Sequence, residues 1–286
     1  MLNLYLTNGE KQQLKSGILI EMHGNGEVTT LDLEEYLIGL LPNQISLDCE
    51  PEMLKAQAVI ARTNVQKQMK EKGSSKHDQL GFTFMSQKQL EQLWGKQKAA
   101  ELRYKMEHAI SSTFGQTIQY NEKYIDALYH NISIGETVSA QEYLGTDVPY
   151  LISVESSRDI EAPEYLSVKE WTGQEFVDVL DEYSIKVTKS IALTEMKVEE
   201  QTEMGYVKTV AIGDRQISGE DFREIFHLNS TNFYFNIVKE KIRVTTVGKG
   251  HGMGLSQFGG NLLALDGENY QNILTYYYPG TSIVAI

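Results

Sequence analysis

Apolar and polar positions change period several times along the chain, and each change marks an element. Residues 17–31 (GILIEMHGNGEVTTL) read as two strands around Asn25-Gly26, a pair that favours a tight turn, and so predict a hairpin. From Asp32 to Leu41, the residues Leu33, Tyr36, Leu37 and Leu40 recur at helical spacing. A polar loop follows, and Pro51 stands where the first turn of the next helix belongs. Beyond it Leu54, Ala58, Ala61 and Val65 form one narrow stripe, whose small alanines predict close packing. Residues 70–78 (KEKGSSKHD) are loop by composition. A capping-box pattern from Ser86 to Gln89 opens helical segments that run to about residue 113, with a weak point at Gly95.

The second half is richer in strands. Residues 115–130 predict two strands around an Asn121-Glu122 turn, and an amphipathic helix is expected over 168–183. A strand pair within 193–212, a short helix at 218–226 and strands over 232–247 follow. Residues 262–283 read as a helix pair ending in an aromatic cluster and a Pro-Gly turn. Strands and helices cluster instead of alternating, which favours an α+β fold of mixed helices and antiparallel strands. The expected organisation is an N-terminal strand or hairpin segment, 1–30, and a domain over 31–286. In that domain a main lobe takes about 31–160 plus 240–286, and a second lobe about 161–239.

Composition narrows the function classes. A chain of 286 residues with 41% hydrophobic and 23% charged content is that of a soluble globular protein with a sizeable core. A net charge of −13 argues against nucleic acid and against an anionic membrane surface. The single cysteine, Cys49, excludes an internal disulfide and a Cys-rich zinc site. The start, MLNLYLTNGEKQQLK, has no apolar run long enough for a signal peptide or a membrane span. That leaves either a cytosolic protein or one whose anchor is missing from this chain.

Two stretches concentrate chemistry. The loop before the second helix carries Gln44, Asp48, Glu50 and Glu52, and the helix itself carries Lys55, Gln57 and Arg62. The segment 247–260 (VGKGHGMGLSQFGG) is rich in glycine, with His251, Ser256 and Gln257 between the glycines. It lacks the lysine and hydroxyl of a phosphate-binding loop and no βαβ unit follows it, so it is a poor nucleotide site. It reads equally as a tight structural turn or as a functional loop.

Four separated segments resemble the stage II sporulation protein D family, which includes the amidase-enhancer proteins. They are EEYL-G followed by LKAQAVIART (34–63), IDALYHNISIGETVSA with DVPYLISVES (125–156), GEDFREIFHLNSTNF (219–233), and GKGHGMGLSQFGG through ILTYYYPGTSI (248–283). The resemblance runs from about residue 31 to the C-terminus. It implies lytic transglycosylation of peptidoglycan glycan strands already stripped of stem peptides, in cooperation with a cell-wall amidase during engulfment. It also implies an extracytoplasmic protein with an N-terminal membrane anchor, and no cofactor.

In that family the catalytic glutamate lies between the EEY and LKAQA anchors, and the same seventeen residues, Leu37 to Met53, separate them here. Its position falls on Gln44. The resemblance marks Arg62, in the family's ART, as a residue that binds substrate or orients the acid, and His130 as catalytic. It marks Lys55, Ser133, His251, Ser256 and Gln257 as substrate-binding. Asn131, Ile132 and Ile134 depart from the family's His-Ser-Thr-Ser-Gly-Gly pattern. Relatives that bind zinc do so through cysteines after that histidine, whereas this chain has Val138 and Ala140 in the region, which argues against a metal.

A lytic transglycosylase needs one carboxyl group, which protonates the glycosidic oxygen and then deprotonates the sugar's own 6-hydroxyl. A glutamine donates a hydrogen bond but transfers no proton. Three readings follow: an isosteric replacement that disables an enzyme, a natural glycan-binding protein that does not cleave, or an acid moved to Asp48, Glu50 or Glu52. Glu50 and Glu52 flank Pro51 and suit the helix N-terminus, where negative charge is favoured. Tyr276, Tyr277, Tyr278 and Trp94 either stack on sugar faces or fill the core.

Overall fold

The computed structural model describes residues 3–5, 11–13, 15–24 and 27–285. Contacts divide the chain into two compact units, residues 1–128 with 260–286, and residues 129–259. Segments 129–160 and 240–259 thus group with the middle of the chain, where the sequence reading had placed them in the main lobe.

The first unit opens with short paired strands β1 (Asn3–Tyr5) and β2 (Lys11–Gln13), then the hairpin β3 (Leu19–Gly24) and β4 (Glu27–Asp32). Its strands pair from Leu19↔Asp32 to Gly24↔Glu27, and the expected turn pair, Asn25 and Gly26, lies outside the described residues. Helix α1 (Leu33–Leu40) is capped by Asp32, whose carboxylate accepts from Glu34 N. A single 3-10 turn, Leu41–Asn43, delivers the chain to Gln44.

Helix α2 (Pro51–Lys72) begins at Pro51 and stops where Gly73 takes the left-handed conformation. Ala56, Ala58 and Ala61 are fully buried, so neighbouring helices approach the backbone closely. Those neighbours include α5 (Lys96–Ser112), reached through α3 (His77–Leu80) and α4 (Gln87–Trp94). The expected capping box at Ser86 and Gln89 is present. Strands β5 (Gln116–Tyr120) and β6 (Lys123–Tyr124) turn at Asn121 and Glu122, both with positive φ.

The second unit starts with β7 (Tyr129–His130) and α6 (Ala140–Leu144). Residues 166–172 then form a strand, β8 (Leu166–Thr172), where a helix was expected from 168. Helix α7 (Gly173–Glu182) starts only at the Thr172–Glu175 capping box. After α8 (Lys189–Thr194) come β9 (Met196–Gln201), β10 (Val207–Ile212) and β11 (Arg215–Ser218), which form an antiparallel sheet in the order β11-β10-β9. Helix α9 (Gly219–Ile225) leads to β12 (Phe233–Val238) and β13 (Lys241–Val247), which complete the antiparallel sheet β12-β13-β8. Phe176, Phe222, Phe226 and Phe233 stack inside this unit.

Past β14 (Leu255–Ser256), helix α10 (Gln257–Leu265) carries the chain back to the first unit, which ends with α11 (Tyr270–Tyr277) and β15 (Ser282–Ala285). β15 pairs antiparallel with β5, closing the sheet β15-β5-β6. The α+β reading therefore holds for both units. Among the described residues no helix is long and apolar enough to cross a membrane.

One backbone feature gives a stability prediction. His227, the residue after the C-cap of α9, has φ 50°. A side chain there pays the left-handed penalty that glycine avoids. His227→Gly is expected to raise the unfolding free energy by about 1 kcal/mol in urea titrations; an unchanged or lower value would contradict the assignment of strain to this position.

Candidate functional site

The first unit holds Gln44, Lys55 and Arg62. Gln44 lies just beyond the 3-10 turn, its N–H donating to Leu41 O at 2.9 Å. Its Oε1 accepts from Nε2 of Gln57, at 3.2 Å, and Gln57 is fully buried on α2. The helix thus fixes the side chain at position 44 through a second amide, which sequence spacing does not reveal.

Arg62 is fully buried. Its Nε donates to Glu34 Oε1 at 2.8 Å and Nη2 to Glu34 Oε2 at 2.6 Å, a two-pronged pair. Nη1 donates to Gln116 O at 3.0 Å and Nη2 to Ile110 O at 3.3 Å. One guanidinium so fastens α1, α2, the end of α5 and the start of β5. A direct substrate contact is not open to a side chain in that position.

Lys55 pairs with Glu52 at 2.5 Å, and Glu52 also accepts from Tyr270 N at 2.9 Å. Burial alone would raise the Glu52 pKa, but Lys55 and that N–H hold it below the usual carboxylate range. Glu52 is therefore an ionised structural group, unsuited to donate a proton near neutrality. Asp48 and Glu50 line a cavity of about 450 Å³ with Tyr104, Lys105 and His108. Burial, Asp48 and Glu50 push the Cys49 thiol in its wall up to about 11, so it is not a thiolate.

The second unit holds His130, Ser133, His251, Ser256 and Gln257, and local pairing brings most of them together. β7 and β14 run parallel with His130 opposite Ser256. Asn131 Nδ2 donates to Gln257 Oε1 at 3.0 Å. The glycines between them permit close backbone passage. A Cβ on Gly250 would lie 2.7 Å from His130 Cβ, and one on Gly252 2.0 Å from the Tyr206 hydroxyl.

His130 sits 3.1 Å from Met253 O through Nδ1. A carbonyl only accepts, so Nδ1 carries the proton and Nε2 presents a lone pair that is buried without a hydrogen-bond partner. The His251 ring lies 5.9 Å away, its Nδ1 accepting from Met253 N at 3.1 Å. Burial, then His251, pushes His130 down to about 3, and burial lowers His251 as well. Ser133 is fully buried, its N–H donating to Asp159 Oδ2 at 2.7 Å. Tyr143 donates to Glu220 at 2.7 Å. The sequence singles out Gln57 but not its bond to Gln44, and it does not single out Glu34, Tyr143, Asp159 or Glu220, each of which acts through a partner remote in sequence. Among the described residues, no group of three or more His, Cys, Asp or Glu could hold a metal ion.

The His130 shift has a consequence for stability. Between pH 6.5 and 3 the unfolded chain takes up a proton that the folded one refuses, so stability falls as pH drops through that window. The loss is on the order of 1.4 kcal/mol per pH unit, and the full contribution is present above pH 6.5. His130→Asn keeps a donor for Met253 O and removes the titration. The drop in unfolding free energy between pH 7 and 5 is expected to shrink by about 2 kcal/mol in urea titrations; an unchanged drop would contradict the assignment.

An α+β chain with an EEY-to-LKAQA loop and a glycine-lined histidine pair defines a class, and comparison with known proteins identifies it. Residues 21–120 match the family model described as Stage II sporulation protein. The chain is 36% identical over 267 residues to Stage II sporulation protein D of Bacillus subtilis (strain 168), covering 91% of this chain and 76% of that protein. It is 32% identical over 288 residues to Stage II sporulation protein D of Bacillus amyloliquefaciens, covering 97% and 82%. An amidase enhancer of Bacillus subtilis (strain 168) is 24% identical over 305 residues, covering 87% of this chain and 40% of that protein. The chain belongs to the stage II sporulation protein D family.

Proposed function

We propose that this protein recognises denuded peptidoglycan glycan strands during sporulation and, with Gln44 in place of the acid, does not cleave them. The observation that carries this reading is the carboxamide at position 44, held by the buried Gln57 amide. A carboxyl group there would act as a single acid–base catalyst of lytic transglycosylation; a carboxamide keeps the hydrogen bond and loses the proton. The reading sets the protein outside the cytoplasm, at the cell wall.

A second reading is favoured by the relative named as an amidase enhancer. In it the protein stimulates a cell-wall amidase, and glycan binding serves that partnership. Co-sedimentation separates the two. Purified protein should pellet with strands stripped of stem peptides and release no soluble sugar. Failure to pellet, with stimulation of an amidase intact, would leave only the enhancer reading.

A further inference from the structure

β8 is the outer strand of its sheet, and no strand pairs with its far side among the described residues. The ladder fixes the phase of that free edge. Gly173 N donates to Glu240 O and Gly248 N to Tyr165 O, both at 2.8 Å, so the odd-numbered residues of β8 turn their backbone groups to β13. Leu166, Val168 and Glu170 turn theirs outward. Leu166 and Val168 are also 57% and 58% exposed. Soluble proteins ordinarily blunt such an edge with charge, proline or a bulge.

Beside this edge lies a cavity of about 380 Å³, lined by Lys169, Trp171, Glu182, Tyr183, Phe226 and His227 among others. Lys169 and Trp171 are half-buried on the inner face of the sheet, and they line the cavity together with Glu170. Its walls are aromatic: Trp171 packs edge-on against Phe226 at 5.0 Å, and Tyr183 is half exposed. The Lys169 ammonium is already donated to the carbonyls of Phe226 and His227, at 3.3 and 2.7 Å. Glu170 is taken by Lys241 and Arg243. Glu182 differs: it is exposed to solvent, and no hydrogen bond or ion pair engages its carboxylate among the described residues. It stands in the last turn of α7, where the helix dipole disfavours a negative charge and no basic residue of the helix offsets it. A cation bound beside it would offset that unfavourable term.

We propose that edge and cavity form a docking site for an extended segment of another polypeptide that carries a lysine or arginine. The segment adds as a strand along Leu166–Glu170. Alternate side chains of an added strand point to the inner face, so its cation enters the cavity, lies against the Trp171 and Tyr183 rings, and pairs with Glu182. Main-chain hydrogen bonds supply affinity, and the cavity selects the side chain. The net charge of −13 favours a basic partner in the encounter.

The test is an NMR titration of the full isotope-labelled chain with the blocked peptide Ac-Thr-Val-Arg-Val-Thr-NH2. The expected result is saturable shifts of the Val168 and Glu170 amides and the Trp171 indole. Glu182→Gln, or citrulline in place of the peptide's arginine, should weaken binding about tenfold. Val168→Pro removes an outward N–H that β13 does not use, so it should abolish binding while the rest of the spectrum is retained. Absence of shifts at millimolar peptide, or equal binding of the citrulline peptide, would overturn the proposal. The citrulline comparison needs no variant protein and decides the matter even if Val168→Pro fails to fold.

Discussion

Arg62→Ala is expected to destabilise the first unit by about 3–5 kcal/mol. The substitution leaves the Glu34 carboxylate, itself fully buried, without its counter-charge. It also strips donors from the carbonyls of Gln116 and Ile110. The pair holds elements from three stretches of chain, so no local repacking restores the contacts. The chain has two tryptophans, Trp94 and Trp171, one in each unit. In a Trp171→Phe background Trp94 reports the first unit alone, and its fluorescence midpoint in urea should fall sharply. Glu34→Leu combined with Arg62→Met should be less destabilised than the sum of the single changes, because the uncompensated charge disappears with its partner. A loss under 1 kcal/mol for Arg62→Ala would show that the pair is not what fastens these elements.

That arginine shows how far the sequence could be read. Its presence in the family's ART pattern was legible, but its role was not, because Glu34 lies 28 residues away and no spacing rule connects them. Long periodic elements were legible: α1, α2, α4 with its capping box, and the β12–β13 hairpin all stand where their patterns put them. Residues 168–172, expected as the start of a helix, belong to the strand Leu166–Thr172. It alternates exposed and half-buried residues, and its state is settled by the seven-residue ladder to β13, more than sixty positions away. The unit boundaries moved for a similar reason. Glu142 and Tyr143 bond Met204 N and the Glu220 carboxylate, and β13 pairs with both β12 and β8, so contacts remote in sequence draw 129–160 and 240–259 toward the middle of the chain. The histidine pair could be suspected from the glycines around it, whereas the direction of the His130 proton depends on Met253 O, a backbone atom that sequence does not place.

The largest expected effect belongs to position 44. Gln44→Glu changes one amide to a carboxyl of the same shape, and Gln57 Nε2 remains as its hydrogen-bond donor. A positioned acid–base group contributes roughly 10²–10⁴-fold, so on the proposed reading Gln44→Glu should show turnover where the carboxamide shows none. The decisive measurement is mass spectrometry of denuded glycan incubated with the native chain and with Gln44→Glu. The account predicts 1,6-anhydro sugar ends from Gln44→Glu alone, with both proteins binding the strands. Equal release by both would contradict it and move the acid to Asp48.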